Sequence, residues 1–150
     1  MGIAILTGHS HYVMCATFHP EDTLIASCSL DQTIRVWDFA KLKEKSMSKS
    51  GSKPNELYGG TEVEVRHIID GHEKGVNWVT FHPTMKILAS AADDKNIKLW
   101  RLSGNKHWEM ETLKGHSNNI SCVIFHPRME ILLSNSEDRT MRFWDMNRRV

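Results

Sequence analysis

The chain has 150 residues, 40% of them hydrophobic, and its 19 Lys plus Arg balance 18 Asp plus Glu to a net charge of +1. That length suits a single domain, and the near-neutral balance gives no uniformly basic surface on which to rest nucleic-acid binding. No apolar run approaches the roughly 20 residues that span a bilayer, Met1–Leu6 lacks the basic start of a secretory leader, and Leu6 stands where N-myristoylation needs Ser or Thr, so membrane association is expected only indirectly, through partners.

In chain order, short runs rich in β-branched and aromatic residues predict strands at 13–18, 24–29 and 33–38, then at 76–81, 87–92 and 96–101, then at 120–125, 131–136 and 140–145. One more strand is expected ahead of each trio, at Ile3 to Leu6, Val63 to Ile69 and Trp108 to Leu113. No stretch shows helical periodicity. Each first strand of a trio ends at a His-Pro pair (His19, His82, His126), because proline has no N–H to give a ladder. Between the first and second trios lies a surplus, Lys41 to Thr61, holding Lys41, Lys43, Lys45, Lys49 and Lys53 with four serines. It is too polar to bury much surface and is predicted to be a mobile insertion.

The trios are copies of one another. Gly8-His9, Gly71-His72 and Gly115-His116 each precede a tryptophan (Trp37, Trp100, Trp144) by 28 residues counted from the histidine. Between them recur Phe-His-Pro, then Ala26-Ser27, Ala89-Ser90 and Leu133-Ser134, then Asp31, Asp94 and Asp138. A unit repeated at this period cannot bury its apolar surface alone and must stack on its neighbours. Cys15 and Cys122 share one repeat position with Trp78, so they read as buried packing thiols in a reducing, intracellular compartment rather than a disulfide framework.

This pattern resembles the WD-repeat family, whose repeat of about 40–45 residues forms one four-stranded propeller blade. The resemblance implies an all-β chain of three four-stranded blades in an incomplete β-propeller, with repeats at about 3–40, 62–103 and 108–147. The last copy reaches Val150 without its fourth strand. It also implies three structural tetrads: His9, Ser27, Asp31 and Trp37; His72, Ser90, Asp94 and Trp100; His116, Ser134, Asp138 and Trp144. Ser29 and Ser136 lie two residues further along the same strand face and compete for the serine position. A Ser, His and Asp set invites a hydrolase reading. A catalytic triad occurs once and faces substrate, whereas this set occurs three times and ends on an indole donor, so no catalytic residue is expected. His9 and His11 lack an accompanying carboxylate or thiol cluster, and no metal or cofactor is expected either.

Longer phrases carry a narrower likeness. Leu6 to Cys15, Ser29 to Asp38, Gly71 to Trp78, Phe81 to Met85 and Asn135 to Asp138 look like the first propeller of the coatomer alpha family, as do Trp100-Arg101 and the insertion ending in Glu56-Leu57-Tyr58-Gly59-Gly60-Thr61. The likeness implies a cytoplasmic scaffold, peripheral on Golgi and COPI vesicle membranes, whose partners are other coatomer subunits and the C-terminal lysine-containing tails of membrane cargo. Tyr12 matches an aromatic on the cargo-facing surface. The loops on that face present Tyr12, Leu30, Glu73, Asp93, Ser117, Asn119 and Glu137, and carboxylates on a concave rim favour an ammonium over an anion. Tyr12, Asp93 and Glu137 are therefore the candidate peptide-binding face. An alternative is a WD-repeat scaffold of another complex, a ubiquitin-ligase receptor or a nuclear assembly. The ligase-docking pattern Trp-Asp-x-Arg fails at Trp37-Asp38-Phe39-Ala40 and at Trp144-Asp145-Met146-Asn147.

Overall fold

The computed structural model describes residues 4–47 and 62–147. Eleven strands and one helix follow in the order β1 (Val13–Phe18), β2 (Leu24–Ser29), β3 (Thr33–Asp38), α1 (Ala40–Met47), β4 (Glu64–Asp70), β5 (Val76–Phe81), β6 (Ile87–Ala92), β7 (Asn96–Ser103), β8 (Lys106–Lys114), β9 (Ile120–Phe125), β10 (Ile131–Ser136) and β11 (Met141–Asp145). They form two four-stranded sheets, β1-β2-β3-β4 and β5-β6-β7-β8, and a three-stranded sheet, β9-β10-β11, all antiparallel. The sheets do not close on one another, and the architecture is part of a propeller.

Each blade straddles two sequence copies. The strand ahead of Gly71-His72 is β4, and it pairs with β3 of the preceding blade; the strand ahead of Gly115-His116 is β8, and it pairs with β7. The segment ahead of Gly8-His9 differs from expectation. Ala4 to Leu6 is not a strand, and Ile3 lies outside the described residues. A lone strand has no ladder to satisfy its backbone, and no third strand of an earlier blade stands beside it among the described residues.

A bulge recurs at the start of each inner strand, between Val13 and Cys15, Val76 and Trp78, and opposite Asn135 and Ser136. Bulges increase local twist, which suits the strong twist of a blade. The sheets pack face to face, with β5 seated on β1 and β2, and β9 seated on β5 and β6. One core lies in the first seam, with Ala26, Cys28, Ile34, Val36 and Ile69 against Val76, Val79, Phe81 and Leu88. The other lies in the second, with Ala89, Ala91, Ile97 and Leu99 against Ile120, Val123 and Leu132. Lying between both seams, β6 is buried along its whole length.

Helix α1 forms without apolar helical periodicity and occupies the first part of the expected mobile insertion; residues 48–61 lie outside the described residues. Its start is capped by Asp38, whose Oδ1 accepts the Ala40 N–H at 2.9 Å. Lys41 and Lys45, four residues apart and so on one helix face, pair with Glu64, the first residue of β4, and with Glu62 just ahead of it. Charge spacing, not apolar periodicity, seats this helix.

Val13 and Phe18 are 55% and 69% exposed, whereas their repeat equivalents Val76 and Phe81 are 0% and 7% exposed under the preceding blade. On the opposite end, Met141 and Phe143 are 72% and 78% exposed, while Ile97 and Leu99 at the same positions are buried. Among the described residues, two faces of blade-packing chemistry thus stand open, and exposed apolar patches of this kind mark interaction sites or aggregation liabilities. The 150-residue chain is expected to self-associate and to unfold with low cooperativity. Light scattering and denaturant titration check this; a cooperative monomer at micromolar concentration contradicts it.

Candidate functional site

Three hydrogen-bonded chains of side chains run through the blades. In the first, Trp37 Nε1–H donates to Ser27 Oγ at 2.9 Å, and Ser27 Oγ and His9 Nε2 are 2.8 Å apart. His9 Nδ1 lies 2.8 Å from Asp31 Oδ2. The same contacts measure 2.9, 2.6 and 2.7 Å through Trp100, Ser90, His72 and Asp94, and 2.8, 2.8 and 2.6 Å through Trp144, Ser134, His116 and Asp138. Donor chemistry fixes the direction. An indole only donates, so the serine oxygen accepts and passes its own hydrogen to His Nε2. The remaining imidazole hydrogen, on Nδ1, goes to the carboxylate. Ser29 and Ser136 do something else: their hydroxyls accept the Asp31 and Asp138 backbone N–H groups and hold the following turn.

The aspartates tie more than histidine. Asp31 Oδ1 accepts from the Thr33 N–H and hydroxyl, and its Oδ2 accepts from the Ser10 N–H; Asp138 binds Thr140 and Ser117 in the same way, and Asp94 binds the Asn96 and Glu73 N–H groups. Each carboxylate clamps the turn between two strands to the loop carrying Gly-His. Burial alone pushes the Asp94 carboxyl up, but the hydrogen bonds from His72, Asn96 and Glu73 outweigh it and hold the group below the usual carboxylate range. The glycines make room: a Cβ at Gly71 would stand 2.6 Å from the Trp100 ring, and one at Gly115 would stand 2.9 Å from the Arg142 guanidinium.

Ser, His and Asp here have the connectivity of a hydrolytic triad, yet the serine lone pair is taken by an indole. Ser90 is fully buried and His72 nearly so, which leaves no approach for a substrate carbonyl. The first chain borders a recess of about 320 Å³ between Leu6, Val13, Phe18, Ile25 and Trp37, on the open face of the first blade. No group of three or more potential metal ligands occurs among the described residues.

The Phe-His-Pro histidines hold the turns that follow them. Nδ1 of His19 accepts the Glu21 and Asp22 N–H groups, that of His82 the Thr84 and Met85 N–H groups, and that of His126 the Arg128 and Met129 N–H groups. The hydrogen must then sit on Nε2. The rings also cross the seams, His19 edge-on to Phe81 at 4.9 Å and His82 edge-on to Phe125 at 4.8 Å. The signal available in the sequence was the backbone turn that must follow His-Pro and needs an acceptor.

The candidate peptide face is formed by turns that repeat. Leu30, Asp93 and Glu137 occupy one position in successive blades, their N–H groups donating to the carbonyls of Tyr12, Gly75 and Asn119. Tyr12 is 74% exposed and Glu137 is exposed, whereas Asp93 is partly buried and accepts from Asn77 Nδ2 at 2.7 Å. The same Asn77 amide donates to the Ile120 carbonyl of the next blade at 3.0 Å. Cys15 and Cys122 are only partly buried, and Cys28 is fully so.

Twisted antiparallel blades stacked through apolar seams, each braced by an Asp, His, Ser and Trp chain, define a WD-repeat propeller assembly. The chain belongs to that family: its profile, the WD domain, G-beta repeat, matches residues 2–38, 63–101 and 108–145. Among individual proteins, it is 49% identical over 83 residues to coatomer subunit alpha-2 of Arabidopsis thaliana, covering 51% of this chain and 7% of that protein. It is 53% identical over 73 residues to a putative coatomer subunit alpha of Schizosaccharomyces pombe, and 48% identical over 50 residues to coatomer subunit alpha of Saccharomyces cerevisiae. These matches cover 49% and 33% of this chain and 6% and 4% of those proteins.

Two outcomes are expected from this geometry. Asp94→Ala removes the acceptor of a buried imidazole and lowers stability by about 1–3 kcal/mol, while the exposed Lys74→Ala stays within about 0.5 kcal/mol; equal denaturation midpoints would count against a bracing role. The second concerns pH. Burial holds the His82 imidazole below its ordinary value, against the Glu130 carboxylate, which raises it, and burial does the same to His67, helped by His107. The unfolded chain therefore takes up protons before the folded one. Stability falls as pH drops through the ordinary histidine range and levels off below the folded value. In His82→Asn, whose Oδ1 can replace the Nδ1 acceptor, denaturation midpoints between neutral and mildly acidic pH should vary less.

Proposed function

We propose that the chain is a non-enzymatic interaction scaffold within a coatomer alpha subunit, serving COPI coat assembly and the retrieval of dilysine cargo between Golgi and endoplasmic reticulum. The observation that carries this reading is the 47–53% identity to coatomer alpha subunits of plants and fission yeast. On this reading its partners are other coatomer subunits and the lysine-bearing C-termini of cargo, with no nucleic acid. It is cytoplasmic, and it meets Golgi and vesicle membranes only through the coat. No helix among the described residues is long and apolar enough to cross a membrane. The absence of catalysis is supported by the tetrad serines, each occupied by an indole donor.

Tyr12, Asp93 and Glu137 are the residues assigned to the tail. The exposed Tyr12 ring, edge-on to His11, can lie along a lysine stem or meet its ammonium, worth about 0.5–1 kcal/mol at an exposed site. Glu137 adds a carboxylate at the rim, and Asp93, steadied by Asn77, presents a second. Attraction of this kind weakens with salt, since rim charges are screened over about 8 Å at physiological ionic strength.

Peptide titration of a closed propeller containing this segment tests the assignment. Tyr12→Ala is expected to weaken a dilysine tail about two- to fivefold, and a tail with both lysines replaced by serine should not bind. Unchanged affinity in Tyr12→Ala with loss for the serine tail moves the site to other blades. If neither change matters, the cargo reading fails. Failure to co-purify with other coatomer subunits shifts the assignment to a scaffold of another complex, such as a ubiquitin-ligase receptor or a nuclear assembly.

A further inference from the structure

Cys15 on β1 and Cys28 on β2 stand directly opposite each other in the antiparallel register. Directly opposed residues have Cα atoms about 4.5–5.5 Å apart, inside the 4.4–6.8 Å that a disulfide spans. Their side chains share one face of the sheet: Cys28 lies in the core of the first seam and Cys15 packs on it from the partly open side. The Cys15 sulfur also reaches across the seam, 3.6 Å from the Val79 carbonyl of β5.

The other blades supply internal comparisons. Cys122 holds the place of Cys15 but faces Asn135, and Trp78 holds it facing Ala91. Only the first of the three blades sets a thiol against a thiol. We propose that Cys15 and Cys28 are a modification site, a paired dithiol that a hydroperoxide closes to a cross-strand disulfide.

Each thiol has a distinct part. A hydrogen bond from Cys28 is the largest influence on Cys15 and, against burial, brings that thiol down to about 7. Cys28 is pushed up by the same contact and by burial, so it keeps its proton. Burial also pushes Cys122 up. The Cys15 thiolate attacks the peroxide, the O–O bond breaks, and the released alkoxide takes a proton to leave as an alcohol. Cys15 is then a sulfenic acid. The Cys28 sulfur displaces its hydroxyl, which leaves as water with the Cys28 proton. Two thiols and one hydroperoxide give one disulfide, one alcohol and one water. The new bond holds the Cys15 sulfur toward β2 and ends its contact with Val79.

Trypsin separates the groups: both cysteines fall in peptide 1–35, and Cys122 falls in peptide 115–128. The 150-residue chain is treated with hydrogen peroxide, blocked with iodoacetamide, denatured, digested and weighed. Peptide 1–35 should lose two hydrogens and escape alkylation, while 115–128 is alkylated in full. Without peroxide, Cys15 should alkylate at neutral pH roughly tenfold or more faster than Cys122, with its rate half-maximal near pH 7. In Cys28→Ala, which places the residue of Ala91 in the first blade, that midpoint should rise, and peroxide should leave a Cys15 sulfenic acid that dimedone traps. Near-ultraviolet circular dichroism checks that the variant stays folded. Oxidation of Cys122 at the rate of Cys15, or over-oxidation of Cys15 with Cys28 left free, overturns the proposal. So does an alkylation midpoint unmoved by Cys28→Ala.

Discussion

The hydrogen bond from a tryptophan indole to a serine hydroxyl is the contact on which the blades depend. Because the indole can only donate, it orients the serine, the serine orients the imidazole, and the imidazole delivers its one hydrogen to the aspartate. Four residues from two strands, the turn between them and a loop are fixed by one choice of direction. In the second blade Trp100, Ser90, His72 and Asp94 are all nearly inaccessible, so the loss of one leaves its partner unpaired.

That chain also explains why loops here are regular enough to carry a binding face. The aspartate holds the turn after the second strand, and the same carboxylate grips the loop ahead of the first strand of its blade. The residue beside it, Leu30, Asp93 or Glu137, is thereby set at the same height in each blade. Its side chain differs from blade to blade while its backbone bond recurs. A rigid frame with differing rim residues is the arrangement expected where recognition is carried by loops on a fixed scaffold.

Strand positions were legible because each blade strand is a short β-branched run with turn residues at both ends, and threefold repetition removed ambiguity from any one run. The tetrad residues were reachable through their fixed spacing, which puts His, Ser, Asp and Trp within bonding distance in every copy. Helix α1 was not legible by apolar period, because its lysines are seated by carboxylates that follow it by some 20 residues in sequence. The turn-holding use of His19, His82 and His126 was hidden for another reason: the acceptor is a side chain and the donors are backbone, so no second residue type marks the partnership. Ile3 to Leu6 has the composition of a strand, but composition does not supply the neighbour that a ladder requires.

The exchange of outer strands between copies means that covalent order and blade membership are offset by one strand. Strand β4 is joined directly to β5 of the second blade, yet its ladder is with β3 of the first. The long connection between β3 and β4 therefore bridges two strands already stitched together by hydrogen bonds, and lengthening such a connection costs only a slowly growing entropy. Extra sequence at this point leaves the blades where they are. The overlap works as a shingle: the first and second blades are each pinned down by the leading edge of the next copy, and the connection crossing the first pinned edge is where the chain carries its extra sequence.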